Sequence, residues 1–157
     1  MISSIVITYN EESNIKECLE SIKWTDEIIV LDSNSSDRTV EIASEFKVKI
    51  IQTDNISFGE KKNLGIENAA GDWILWIDAD ERITEELKSE IIAIAGKESS
   101  ETTAFLINRK SFFINKFMKY SGWYPDYTLR LFKRSAGVRF DDSSVHEKAM
   151  YEKKKGK

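Results

Sequence analysis

Short apolar runs alternate with segments of helical periodicity over the first 95 residues, and this alternation constrains the fold more than any other feature. The predicted strands are Ser4–Thr8, Glu27–Leu31, Val48–Gln52 and Trp73–Ile77. The predicted helices are Glu12–Lys23, Asp37–Phe46, Glu60–Ala70 and Thr84–Ala95. Strands that alternate with helices in this way form a mostly parallel sheet with helices on both faces. The sequence therefore predicts an α/β fold.

Several helix ends have sequence signals. Ser35 or Ser36 is the predicted N-cap of the second helix, and Thr84 that of the fourth, because hydroxyl side chains accept hydrogen bonds from the first free N–H groups. Gly71 is the predicted stop of the third helix.

The pattern changes after Gly96. Thr102–Asn108 and Thr128–Lys133 have the composition of strands, and the aromatic, basic segment Ser111–Tyr120 lies between them. A chain of 157 residues suits one domain. We predict a single domain, 1–157, with an α/β half at 1–100 and a smaller mixed half at 101–157.

Charge is distributed unevenly along the chain. The net charge of −4 argues against a nucleic acid partner. Residues 109–157 carry 13 Lys and Arg against 5 Asp and Glu, a balance of +8, so residues 1–108 carry −12. The basic part indicates either contact with an anionic surface or acceptor, or a solvated tail.

Nothing in the sequence predicts export or membrane insertion. There is no apolar run of about 18 residues. The first apolar run, Ile2–Ile7, is shorter than that of a signal peptide and lacks its basic start. The single cysteine, Cys18, lies on the apolar side of a predicted helix, which favours a buried thiol. We therefore predict a cytoplasmic protein.

Three of the predicted strands end in polar residues. These ends are Thr8–Glu11, Asp32–Asn34 and Asp78–Glu81. Ligands of open parallel sheets bind beyond the carboxyl ends of the strands, so we expect the site there. A dinucleotide fold and a Walker A loop are excluded, because the chain has no glycine before Gly59 and no glycine-rich loop ahead of a Lys-Ser or Lys-Thr pair.

Asp78-Ala79-Asp80 follows the most apolar strand and is the predicted metal site. Two carboxylates form a partial cage for Mg²⁺ or Mn²⁺, which leaves coordination positions for phosphate oxygens. Asp32 ends another strand and either contacts a base N–H or caps the following helix. The Tyr9 ring either stacks on a planar base or packs against the first helix.

Three motifs, in this order and spacing, resemble family 2 glycosyltransferases of the GT-A fold: Ser4–Asn10 with the two glutamates that follow, Glu27–Thr39 and Asn63–Glu81. Gly122–Leu131 and Val145–Glu147 are similar to a narrower bacterial subgroup that includes lipopolysaccharide core glucosyltransferases. The resemblance implies an inverting, metal-dependent hexosyltransferase. Such an enzyme moves a sugar from a nucleoside diphosphate sugar, here a UDP-sugar, to a glycan or lipid-linked acceptor.

The resemblance also implies roles for single residues. The nucleoside pocket would be lined by Thr8, Tyr9, Asn10 and Asp32, while Asp78 and Asp80 would bind ribose, diphosphate and metal. An inverting enzyme needs a base for the acceptor hydroxyl. Glu147 is the predicted base, with Asp126 in reserve. His146 would be a third metal ligand or a diphosphate contact, unless this single histidine is structural.

Two departures from the family pattern affect these expectations. Many relatives have two adjacent acids at the end of the second strand, whereas here Ser33 follows Asp32. Relatives also continue for tens of residues, so the resemblance implies a fragment, a truncated product or a compact variant. The alternatives are a non-catalytic remnant that binds sugar nucleotides and a phosphoacceptor domain. The second is disfavoured because the first strand ends in Thr8-Tyr9-Asn10 rather than in acids.

The segment Ser111–Tyr120 has its own interpretation. On a helical projection Phe113, Phe117 and Tyr120 share a face, beside Lys116 and Lys119. This arrangement predicts either an interfacial helix on an anionic membrane, at its inner face, or aromatic side chains that close the core of the smaller half.

Overall fold

The computed structural model describes residues 1–54, 57–97, 102–110 and 125–140, with the backbone of 112–113, 116–117 and 149–150. The α/β half contains β1 (Ile2–Thr8), α1 (Ile15–Ile22), β2 (Glu27–Asp32), α2 (Thr39–Ala43), β3 (Lys49–Gln52), α3 (Phe58–Asn68), β4 (Trp73–Asp78) and α4 (Glu85–Ala95). The smaller half contains β5 (Ala104–Arg109), β6 (Phe112–Phe113), β7 (Lys116–Phe117), β8 (Asp126–Lys133), the 3-10 turn Arg134–Ala136, β9 (Arg139–Phe140) and β10 (Ala149–Met150).

Six strands form one sheet in the order β3-β2-β1-β4-β8-β5. The first four are parallel, and β8 pairs antiparallel with both β4 and β5. The predicted mostly parallel sheet is therefore confirmed. The smaller half extends the same sheet, so its strands reach the neighbourhood of the β4 end.

Side chains alternate between two hydrophobic clusters, one on each face of the sheet. Val6, Val30 and Leu75 point to the face covered by α1, α2 and α4. Ile5 and Leu31 point to the other face, where α3 packs through Ile66. Helices on both faces are thus confirmed, and burial of alternate residues fixes the register of each strand.

Helix ends agree only in part with the sequence signals. Thr84 is the N-cap of α4, as predicted, and accepts a hydrogen bond from the Leu87 N–H. The predicted cap of α2 at Ser35 or Ser36 is wrong, because α2 begins at Thr39, the Ser35 N–H donates to Asp32, and the Ser36 N–H donates to Asn10 in the loop after β1. The predicted stop at Gly71 is also wrong, because α3 ends at Asn68.

The predicted interfacial helix at Ser111–Tyr120 is wrong in its secondary structure. Phe112–Phe113 pairs antiparallel with Lys116–Phe117, so this backbone is a short two-stranded pair. Phenylalanine favours strands, and an isolated helix of about ten residues is marginal in water. Tyr120 lies outside the described residues.

Within the described ranges, no helix has the length and apolar character needed to cross a bilayer.

Candidate functional site

The polar ends of β1, β2 and β4 meet at one edge of the sheet. Thr8 lies opposite Asp32 in the register of β1 with β2, and Ile7 lies opposite Asp78 in the register of β1 with β4. The structure therefore brings together three of the predicted site residues, Thr8, Asp32 and Asp78, on adjacent strands.

Thr8 provides a buried hydroxyl at this edge. Its side chain is 2% exposed, and within the described part of the chain Oγ1 has no hydrogen-bond partner. A buried polar group without a partner costs about 1–3 kcal/mol. A ligand atom that reached Thr8 Oγ1 would remove this cost, so the position suits a polar contact with a ligand.

Asp32 is fully buried and stabilises the loop that follows β2. Its two carboxylate oxygens accept from the Ser35 backbone N–H (2.9 Å) and the Ser35 hydroxyl (2.5 Å). Asp32 therefore accepts from Ser35 in the loop before α2 and does not cap α2 itself. A carboxylate has about four acceptor positions, so Asp32 retains capacity for a further donor.

Tyr9 and Asn10 differ in their surroundings. The Tyr9 side chain is 60% exposed, so its ring is not buried against α1 and a face is open for stacking. Asn10 has a left-handed backbone (φ 54°), and its Oδ1 accepts from the Ser36 N–H at 2.8 Å. Asn10 therefore joins the loop after β1 to the loop after β2.

The two aspartates of the predicted metal pair are held differently. Asp78 Oδ2 accepts from Arg130 Nη2 at 2.5 Å. Asp80 is exposed, and among the described residues its side chain forms no hydrogen bond or ion pair. The described residues contain no group of three His, Cys, Asp or Glu side chains that would complete a metal cage. Arg130 thus engages Asp78 through Oδ2, and the predicted metal pair stays a prediction.

Arg130 is a site residue that the sequence reasoning missed. It lies on β8 with its side chain 7% exposed, and Nη2 is 2.5 Å from both Asp78 Oδ2 and Glu81 Oε1. Its Nε is buried without a partner in the described ranges. The signal was an arginine in the middle of the apolar strand Thr128–Lys133, because a buried arginine requires an acidic partner.

Arg109 lies further out and joins three carboxylates. Its Nη1 is 3.5 Å from Glu81 and 3.9 Å from Asp78, while Nη2 is 2.6 Å from Asp126. Desolvation opposes its charge, but the hydrogen bonds and charges of these acids outweigh desolvation and raise the pKa of Arg109. Two guanidinium groups from the smaller half therefore neutralise the acidic end of β4.

The two acids that share Arg130 shift in opposite directions. Burial would raise the pKa of Asp78, but the hydrogen bond and charge of Arg130, with the charges of Lys62 and Arg109, lower it. Burial raises the pKa of Glu81, and the nearby charge of Asp78 adds to this rise. Arg130, with the other two cations, therefore favours the charged form of Asp78 more strongly than burial opposes it, whereas at Glu81 burial outweighs Arg130.

Of the two candidate bases, Asp126 and Glu147, and the candidate metal ligand His146, the structure describes only Asp126. Asp126 begins β8, where its Oδ2 accepts from both Nε and Nη2 of Arg109. Its carboxylate is therefore already engaged in an ion pair. Glu147 and His146 lie outside the described residues.

The sheet is mostly parallel, carries helices on both faces and is extended on one side by antiparallel strands. Its β4 strand ends in acidic residues. The chain is therefore an α/β protein with a candidate site at the carboxyl edge of the sheet. A glycosyl transferase family 2 model matches residues 3–148. The chain belongs to this family. The GT-A fold predicted from the motifs is confirmed.

Two relatives that are named as glycosyltransferases agree with this assignment. An uncharacterized glycosyltransferase of Rickettsia typhi is 41% identical over 91 residues, which cover 57% of this chain and 31% of the relative. The prophage-derived glycosyltransferase SunS of Bacillus subtilis is 35% identical over 150 residues, covering 92% of this chain and 34% of SunS. The chain thus spans about a third of the length of these relatives.

The S. aureus TarS structure is similar in fold. Residues 1–349 of TarS give a TM-score of 0.61 at 21% identity, covering 90% of this chain and 50% of that chain. The TarS complex with UDP-GlcNAc gives a TM-score of 0.53 at 26% identity, covering 66% of this chain and 39% of that chain.

Proposed function

We propose that the carboxyl edge of the sheet binds a nucleoside diphosphate sugar, and that the chain is the donor-binding part of an inverting, metal-dependent hexosyltransferase. The observation that carries this proposal is the meeting of Thr8, Asp32 and Asp78 on adjacent strands, with a buried Thr8 hydroxyl that has no partner in the described ranges. The UDP-GlcNAc bound by TarS supports a UDP-sugar as donor.

The nucleoside is proposed to lie at the ends of β1 and β2. Tyr9 offers an exposed ring to the base, while Thr8 and Asp32 offer a hydroxyl and a carboxylate to polar groups. Asn10 shapes this pocket, because it fixes the loop after β1 against Ser36. The diphosphate is proposed to lie beside Asp78, where Arg109, Arg130 and Lys62 supply positive charge.

Asp78 and Asp80 would hold a divalent metal. The donor set fits, because two oxygen ligands with open positions are what Mg²⁺ and Mn²⁺ use beside phosphates. When bound, such an ion stabilises the negative charge on the departing diphosphate. Asp80 is the freer ligand within the described ranges, whereas Arg130 fixes the orientation of Asp78. His146 stays a candidate third ligand.

Glu147 is the proposed base that takes the acceptor proton. Asp126 is a poorer candidate, because its Oδ2 already accepts two hydrogen bonds from Arg109. Glu147→Gln is expected to keep donor binding and to lose sugar transfer, since only the transition state requires the proton acceptor. Single-turnover assays on a form of the protein that transfers sugar check this; normal turnover would exclude Glu147.

Calorimetric titration of UDP with and without Mn²⁺ tests the donor site. Wild-type protein is expected to bind UDP more tightly with Mn²⁺, and Asp80→Asn to lose that gain. The matched control is Asp72→Asn, the same chemical change at an exposed residue before β4, at the other edge of the sheet. Equal Mn²⁺-dependent binding in wild type and Asp80→Asn would contradict the metal assignment.

The second candidate is a remnant that binds sugar nucleotides without turnover. It is favoured by the state of Asp126, the one candidate base among the described residues, because Arg109 already bonds its carboxylate. Donor binding without hydrolysis or transfer would identify this case.

The acceptor is proposed to be a glycan or lipid-linked glycan, as in the lipopolysaccharide core subgroup that the Gly122–Leu131 motif resembles. Contact with an anionic membrane stays a prediction that rests on the basic composition of residues 109–157 alone.

A further inference from the structure

A hydrogen-bonded pair, Ser33 and Lys61, lies at the end of β2. Ser33 follows Asp32 directly, and its backbone N–H donates to the Thr8 carbonyl at 3.0 Å, so Ser33 lies beside the end of β1. The Ser33 hydroxyl accepts from Lys61 Nζ at 2.8 Å. Both residues are half-buried.

The position of Lys61 is fixed by the helix that carries it. The capping box of Ser57 and Glu60 defines the start of α3. A Cβ at Gly65 would lie 2.7 Å from Ile5 Cγ2 and 3.0 Å from Leu31 Cδ1, so α3 lies close against β1 and β2. Lys61 Nζ is also 5.6 Å from the centre of the Phe58 ring. The ammonium group is therefore held at the strand ends by packing as well as by its hydrogen bond.

Lys61 can donate hydrogen bonds but cannot accept them. A lysine ammonium has three N–H donors and no acceptor. One donor goes to Ser33, and within the described ranges no acid forms an ion pair with Lys61. The carboxylate of Asp32, the residue before Ser33, is bonded by Ser35. The end of β2 thus carries a cationic donor, bonded to a residue whose backbone N–H lies against the Thr8 carbonyl.

We propose that Lys61, held by Ser33, selects the nucleobase of the donor. This inference rests on the proposed function. The base edge that faces Lys61 must accept a hydrogen bond, so a pyrimidine with a carbonyl at position 4, as in uracil, is favoured. Cytosine presents an amino group at that position, and two donors would then face each other without an acceptor between them. Ser33 is a positioning residue that directs the ammonium group.

Calorimetric titration of UDP and CDP, each with Mn²⁺, tests the proposal, because these nucleotides differ only on the base edge. Wild type is expected to bind UDP about tenfold more tightly than CDP, the effect of one hydrogen bond to a charged donor. Lys61→Met keeps the aliphatic stem and removes the N–H donors. It is expected to weaken UDP binding and so to bring the ratio of UDP affinity to CDP affinity close to one. Lys61→Arg is expected to keep a preference for UDP.

Controls separate base selection from a change of charge or of folding. Lys23→Met removes the same charge at an exposed residue after α1 and is expected to leave the ratio unchanged. Ser33→Ala is the second variant: it leaves the lysine in place but removes its anchor, and is expected to lower the ratio. It replaces Lys61→Met if that protein does not fold.

The UDP and CDP titrations also distinguish failure of base selection from failure of the donor site. Equal affinities for UDP and CDP in wild type, with both binding, would overturn the base-selection proposal and leave the donor site standing. The same is true if Lys61→Met weakens both nucleotides equally, since Lys61 would then contact phosphate. If neither nucleotide binds to wild type, the proposed function fails and base selection fails with it.

Discussion

At the scale of single residues, Arg130 links the two halves of the chain chemically. It lies on β8 yet bonds two acids at and after the end of β4, Asp78 and Glu81. Breaking a buried ion pair from one side is costly, because the remaining charges stay buried without compensation. Arg130 therefore stabilises the fold and the orientation of the proposed metal ligand at the same time.

Arg130→Met is expected to lower the free energy of unfolding by about 3 kcal/mol, because two partly buried carboxylates lose their shared cation. Urea denaturation measures this loss. The matched control, Arg38→Met, breaks an ion pair with Glu41 on the surface and is expected to cost much less, because water and salt screen exposed charges. Equal losses in the two variants would show that the Arg130 bonds contribute no more than a surface pair.

Cys18 has a thiol whose ionisation is linked to folding. The residue is fully buried beneath the β4 end, and burial raises its pKa from 9.0 to about 12. A group whose folded pKa is raised contributes stability that is fully present below the unfolded pKa. That contribution is lost as the pH rises from about 9 toward about 12.

We expect the free energy of unfolding of wild type, minus that of Cys18→Ala, to fall by about 1 kcal/mol between about pH 8 and about pH 10. Taking the difference between the two proteins removes the lysines and tyrosines that titrate in the same range. The constant cost of the smaller side chain also cancels. Urea denaturation at the two pH values measures the change, and a difference that does not vary with pH would show an ordinary thiol pKa.

The site residues that sequence reasoning found were visible in local patterns, whereas those that it missed, such as Arg130, were not. Thr8, Asp32 and Asp78 end apolar strands, so a local pattern and the rule for parallel sheets were sufficient to place them together. Arg130 bonds Asp78 across 52 positions of sequence. Its role depends on β8 pairing with β4, which no local pattern encodes.

At the scale of elements, α3 connects the sheet to the smaller half through Asn63. The Asn63 amide donates to the Phe140 carbonyl and accepts from the Phe140 N–H, each at 3.0 Å. The side chain therefore acts as an additional strand partner for β9. This bond pair holds the Phe140 ring near Trp76, with 6.1 Å between ring centres, and beneath Lys62.

Asn63→Ala is expected to lower the free energy of unfolding by about 2 kcal/mol, because two backbone groups of Phe140 lose their partner. Asn68→Ala on the same helix is the control. Its amide bonds the Leu64 carbonyl near the helix end, and its loss is expected to cost about 1 kcal/mol or less. Thermal or urea unfolding that gave the same cost for both would mean that β9 is not held through Asn63.

Strands and helices were predicted correctly where apolar residues recur with a clear period. Their first and last residues were predicted poorly where polar side chains define them. All four strands of the α/β half were found, since each is a run of apolar residues. The start of α2 was missed, because the Asp37 carboxylate accepts from the Thr39 N–H and moves the first turn beyond the serines. A helix was one of two interpretations of the segment that contains the paired strands Phe112–Phe113 and Lys116–Phe117, because aromatic residues spaced four apart fit a helix too.

At the scale of the whole molecule, the smaller half belongs to the sheet of the α/β half. β8 lies between β4 and β5 and pairs antiparallel with both. The sequence predicted the two strands but not this insertion, since the order of strands in a sheet depends on pairing between distant segments. The insertion brings Arg109, Arg130 and Asp126 to the acidic end of β4, which makes the proposed donor site a product of both halves.

The most direct test of the donor site is a map of where Mn²⁺ with UDP broadens the backbone amide signals in NMR spectra. β4 is about 20 Å long, so an ion at one edge of the sheet distinguishes that edge from the other. We expect broadening at Thr8–Asn10, Asp32–Asn34 and Asp78–Glu81, with signals of Asp72, Lys97 and Arg134 at the far edge retained. Broadening at the far edge, or no specific broadening with UDP present, would contradict a donor site at the carboxyl edge of the sheet.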